Sequence, residues 1–90
     1  MTENKLIIAS MAMDLKRVAL GFHYGSHATA QRFFGEALKR SGELNKGDVK
    51  PYLRKFLSKI PKLLDQKDNM QISEDALMYS TIFQNYALQK

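Results

Sequence analysis

The sequence predicts an all-α fold, a small antiparallel helical bundle of four helices, or of three if the first two run together. Three observations carry that reading. Four stretches space their apolar residues three and four apart, which gathers them on one face of a helix. Turn-forming residues separate the stretches, at 21–26, 44–47 and 67–69. The connections are short, roughly four to seven residues, and short connections make neighbouring helices antiparallel.

The first helix is expected from about Lys5 to Phe22. Leu6, Ile7, Ile8, Met11, Ala12, Met13, Leu15, Val18 and Leu20 cover most of its circumference. Ser10, Asp14, Arg17 and Gly21 form one narrow stripe, with Lys16 standing apart. A helix this apolar belongs at the centre of a bundle or in a dimer interface. Asp14 is expected on the solvent side with Ser10 and Arg17; the alternative is a buried carboxylate meeting Arg17 three residues on.

Gly21 to Ser26 reads as a turn, with Ser26 as N-cap of a second helix from about His27 to Arg40. Ala30, Phe33, Phe34, Ala37, Leu38 and Ser41 share its inner face, and Gly42 stops it. Lys39 and Arg40 complement the dipole in its last turn. Asp48 is expected to cap the third helix, with Pro51 in its first turn, where a missing N–H costs little. Tyr52, Leu53, Phe56, Leu57, Ile60, Leu63 and Leu64 fall on one arc. Pro61 removes the hydrogen bond back to Leu57, so a bent helix or two short pieces follow. Ser73 is expected to cap the last helix, about Glu74 to Gln89, with Glu74 and Asp75 in its first turn. Ala76, Met78, Tyr79, Ile82, Phe83, Tyr86 and Ala87 form its core face.

Ninety residues with 44% hydrophobic content make one domain, residues 1–90, around one core. The absence of cysteine excludes disulfides, thiolate metal sites and cysteine nucleophiles. The longest apolar run, Leu6 to Met13, is broken by Ser10 and is far short of the ~20 residues that span a bilayer. A cytoplasmic protein without membrane attachment is expected.

The formal charge is +5, and it resides in one segment. Residues 46–67 hold seven of the fourteen basic residues and two of the nine acids, Asp48 and Asp65; everywhere else the signs balance. Lys50, Arg54, Lys55, Lys59 and Lys62 lie opposite the apolar arc of the third helix. Such a face attracts a phosphate backbone or an acidic protein. Its plainer role is a solvated surface. No aromatic residue is interleaved on the basic side, so base stacking is not indicated.

His23 and His27 are four apart, the spacing with which two imidazoles share a metal on a helix. Gly25 and Ser26 lie between them and no carboxylate or cysteine is near, so capping or surface roles are expected. Phe22, His23 and Tyr24 would make a contact surface if exposed. Arg17 and His23, with five residues between them, resemble the arginine–histidine spacing of the HEPN family of helical ribonucleases. The resemblance covers those two residues and the all-helical character; the polar residue that usually follows the arginine is Val18 here. It implies a pair near a dimer interface acting on an RNA phosphate. No phosphate loop, nucleotide fingerprint or paired carboxylate is present.

The expected function is therefore that of a small non-enzymatic interaction protein, a homodimer or adaptor. The alternative is nucleic-acid binding through Lys50, Arg54, Lys55, Lys59 and Lys62, and after it HEPN-like RNA cleavage. No cofactor, metal or small-molecule substrate is indicated.

Overall fold

The polar stripe of the first helix is where the fold is decided. The computed structural model describes residues 3–89, with the backbone only at Lys46. Helix α1 (Glu3–His23) is followed by α2 (His27–Gly42), a 3-10 turn (Lys46–Asp48), α3 (Pro51–Leu57), a second 3-10 segment (Ile60–Asp65) and α4 (Asn69–Leu88). There is no strand among the described residues. The chain is a small all-α bundle of four helices.

Two features separate α1 from α2. Gly25 adopts φ +78°, a left-handed conformation that costs glycine nothing. The Ser26 N–H then donates to the Gly21 carbonyl at 2.7 Å, closing the C-terminal turn of α1. Ser26 serves both helices: its N–H closes α1, and at the N-cap position of α2 its carbonyl accepts from the Ala30 N–H at 3.0 Å. Its side chain makes no cap to α2, contrary to the expectation from its type.

Helix α1 is central and packs along both α4 and α2. Its pairing with α4 is antiparallel. The Ser73 hydroxyl donates to the Ala19 carbonyl at 2.8 Å, and the Ser80 hydroxyl to that of Ala12 at 2.7 Å. Seven residues forward on α4 thus match seven back on α1. Lys5 donates to the Gln89 carbonyl at the far end of the same pair. Pairing with α2 is antiparallel too, through Gly21 against Ala30 and Asp14 against Arg40.

Asp14 is buried, not on a solvent-facing stripe. The reason is Arg40 of α2, whose guanidinium donates to the carboxylate at 2.6 Å. A polar stripe with one acid and one glycine suits a helix–helix seam when the neighbouring helix brings the cation. Arg17, 4.0 Å from Asp14, lies over the Phe33 ring on the same seam.

Pro51 occupies the first turn of α3 as expected, but the residue before the helix is Lys50, with no side-chain cap. Asp48 belongs to the preceding 3-10 turn and accepts from Asn45 instead. Pro61 divides the third element into two pieces, α3 and the 3-10 segment. Both turn the same residues inward: Leu53, Leu57, Ile60 and Leu63 are all buried. Edge-to-face ring pairs, Tyr52 on Tyr86 and Phe56 on Tyr79, join α3 to α4.

Helix α4 begins one turn earlier than its sequence suggests. Asp68 caps it, accepting from the N–H groups of Met70 and Gln71. Ser73 is buried in the α1 seam, and Glu74 and Asp75 move to the second turn, where Asp75 accepts from Gln66 and Gln71. A serine one turn inside a helix reads like a cap when its tertiary acceptor is invisible. The core face holds Ala76, Tyr79, Phe83, Tyr86 and Ala87; Met78 faces solvent.

Candidate interaction surfaces

Turning Asp14 and Gly21 toward α2 leaves another part of α1 outside. On α1, residues 12 and 19 face α4, while 14, 17 and 21 face α2. Ile8, Met11, Leu15, Val18 and Phe22 enter the core. The arc that remains carries Leu6, Met13 and Leu20, spaced by seven, and each is about half exposed (56%, 58% and 46%). A spacing of seven repeats nearly two full turns, so these three form one straight row.

Helix α4 adds a second row beside it. Met70, Leu77 and Leu88 are exposed and share one side of α4. The antiparallel register sets Leu88 beside Leu6 and Leu77 beside the middle of α1. An open groove of about 500 Å³ runs between the rows, lined by Ala9, Met13, Leu20, Gln84 and Leu88 among others. Nine large apolar side chains are exposed among the described residues, and six of them lie on this face. Isolated exposed leucines are ordinary; six on one face are not.

Asp14 lies on the opposite flank of α1. Burial raises its pKa above the ordinary carboxylate value, and the charge and hydrogen bond of Arg40 only partly offset that. Glu36 forms an ion pair with the same Arg40 guanidinium at 3.6 Å. The cluster is a structural clasp between α1 and α2.

Lys50, Arg54, Lys55, Lys59 and Lys62 are all exposed. No ion pair involves any of them among the described residues; the ion pairs there are those of Asp14 and Glu36 with Arg17 and Arg40. Lys59 lies over the Phe56 ring, 5.7 Å from its centroid. α3 packs on the side of α4 that bears Tyr79 and Tyr86, whereas the apolar groove is on the side bearing Gln84 and Leu88. The basic face and the apolar face are therefore on opposite sides of the α1–α4 layer.

Arg17 and His23 are not brought together. Six residues along one helix put them about 9 Å apart axially and about 120° apart in direction. Arg17 is engaged with Asp14 and Phe33, and His23 stacks edge-on against Tyr24. His23 and His27 separate at the Gly25 turn, His27 packing on the Phe22 ring and meeting Asn69 at 3.3 Å. Of the Phe-His-Tyr cluster, Phe22 is buried and Tyr24 is open to solvent.

The α4 row was missed from sequence because Met70, Leu77 and Leu88 look like scattered surface residues until the register with α1 aligns them. The row on α1 had a signal, the seven-residue recurrence of Leu6, Met13 and Leu20, hidden among too many other apolar neighbours. No helix of the described residues is long and apolar enough to cross a membrane. The chain matches no family model, and no curated protein or solved structure is similar to it beyond chance.

Proposed function

We propose that this chain is a non-catalytic interaction protein that works as a homodimer, two copies joining through their α1–α4 faces. One observation carries the reading, the concentration of Leu6, Met13, Leu20, Met70, Leu77 and Leu88 on one open face.

A second copy is the occupant that this face fits. The row on α1 is symmetric about Met13, since Leu6 lies seven residues before it and Leu20 seven after. A two-fold axis at Met13 would set Leu6 against Leu20 of the second copy, at both ends, as an isologous interface requires. Lys16 would then sit at the level of Ser10 of the second copy and not opposite itself, so like charges are not opposed. The area is adequate as well. The molecule measures 35 × 20 × 19 Å, so one long face offers roughly 700 Å² per copy. Standard interfaces use about 600–1,000 Å² per partner, so most of this face would be covered.

Sedimentation velocity at tens of micromolar tests this. The expected species has about twice the 10.3 kDa chain mass. Met13→Glu and Leu77→Glu place a charge at the middle of the face and should give a monomer with an unchanged helical circular dichroism spectrum. A strictly monomeric wild-type chain, or a dimer indifferent to both substitutions, would remove the reading.

A further inference from the structure

We propose that the exposed side of α3 and the following 3-10 segment binds the sugar–phosphate backbone of double-stranded nucleic acid through Lys50, Arg54, Lys55, Lys59 and Lys62. The proposal does not depend on dimerisation, because this face is on the far side of the α1–α4 layer from the apolar groove.

The charge is first of all uncompensated. The segment 46–67 carries the entire net charge of the chain, and the acids that form ion pairs are elsewhere, at Asp14 and Glu36. Asp48, within the segment, accepts from Asn45. A solvated lysine face normally has acids interleaved on it; here no acid lies between Lys50 and Lys62, and Asp65 is exposed only at the end of the 3-10 segment.

The cations are also fixed in place. Leu53, Leu57, Ile60 and Leu63 are anchored in the core, each within two residues of a basic neighbour. From Lys50 to Lys62 the backbone advances about 18–24 Å at helical and 3-10 rises. Duplex phosphates recur every ~3.4 Å of axis along a strand, so such a strip runs beside five to seven of them, roughly.

The chemistry favours a duplex backbone over other polyanions. Four of the five groups are lysines, compact point charges suited to phosphates rather than to bidentate base recognition. The rings of this segment are turned toward α4 rather than out among the cations, Tyr52 edge-on to Tyr86 and Phe56 to Tyr79, although Tyr52 remains partly exposed. No aliphatic side chain projects among the cations to enter a bilayer, since the leucines and isoleucine of this segment point inward.

Fluorescence anisotropy with a short labelled DNA duplex of mixed sequence decides the matter. Binding is expected at about 50 mM salt, weakening roughly 500-fold by about 200 mM if all five groups release counterions. The double substitution Lys55→Ala, Lys59→Ala should keep the fold and flatten the logarithmic salt slope by about 1.8. No binding at low salt overturns the proposal, as does a salt slope unaltered by the double substitution. Tighter binding to poly-glutamate or to phosphatidylserine vesicles than to the duplex also overturns it, and assigns the face to an acidic protein or a membrane.

Discussion

Adding one methyl group at Gly21 tests the seam between α1 and α2 directly. A Cβ built there would be 2.7 Å from the Ala30 Cβ and 3.1 Å from the Ala30 Cα and N. Those are backbone and first side-chain atoms, so no rotamer change relieves the clash. To reach ordinary contact, α2 must move by about 1 Å where Ala30, Phe33 and Arg40 are packed against α1. Overpacking of this kind costs about 1–3 kcal/mol. Alanine returns up to about 1 kcal/mol through helix propensity, less so near a helix end. Gly21→Ala should therefore destabilise the fold by about 1–2 kcal/mol, a fall in Tm of roughly 4–15 °C for a domain of this size. Gly35→Ala is the control: a Cβ at that exposed site of α2 meets nothing within 4 Å. There the propensity term stands alone, and the substitution should stabilise by up to about 1 kcal/mol. The same chemical change is thus expected to have opposite signs at two helical positions. Urea titrations followed by circular dichroism read both. Combining Gly21→Ala with Ala30→Gly should recover most of the clash energy, a coupling that a double-mutant cycle isolates. A Gly21→Ala variant as stable as the wild type, with no coupling to position 30, would refute the close seam.

The clasp on the same seam has a pH signature. Burial raises the Asp14 pKa above the ordinary carboxylate value, so the folded state favours the protonated acid. That contribution is fully present below the ordinary carboxylate pKa and is lost as the pH rises through the raised folded one. Asp14→Asn should therefore gain stability relative to the wild type as pH rises from acid to neutral, measured as the difference in urea midpoints; a relative loss would mean that the Arg40 pair outweighs burial. Arg40→Met should cost about 2–3 kcal/mol at neutral pH, under the value for a fully buried pair because Arg40 is about one-third open to solvent at 35%. Ser80→Ala removes the hydroxyl bonded to the Ala12 carbonyl and should cost about 1 kcal/mol by denaturant titration, since that carbonyl keeps its own helical bond. Met13→Glu should leave the duplex salt slope of the basic face unchanged, because the two faces are on opposite sides of the α1–α4 layer.

Much of the bundle was legible before any coordinates. The inward residues of α3 and the 3-10 segment follow the arc of Leu53, Leu57, Ile60 and Leu63, and Pro61 breaks the helix for a local reason. The exposure of the five cations followed from the same arc, because a stripe and its opposite are fixed together. Local chemistry misled at Ser26, Asp48 and Ser73. Each is a good cap by type, yet Ser26 stands at the N-cap of α2 without a side-chain bond, and Asp48 and Ser73 are bonded to Asn45 and to the Ala19 carbonyl instead. A hydroxyl or carboxylate prefers whichever donor or acceptor the fold brings nearest, and nearness along the chain is only one way to be near.

The all-α class, an interruption at Pro61 and the concentration of net charge in residues 46–67 belong to the sequence alone, because they depend on spacing, proline geometry and charge within a few residues. Which flank of α1 faces water did not. That helix is apolar over more of its circumference than a ninety-residue core can cover, so periodicity leaves its rotation open. Arg40 and Ala30, from the next helix, fix it: one neutralises Asp14 and the other fits against Gly21. With Asp14 and Gly21 drawn inward, Leu6, Met13 and Leu20 are left at the surface.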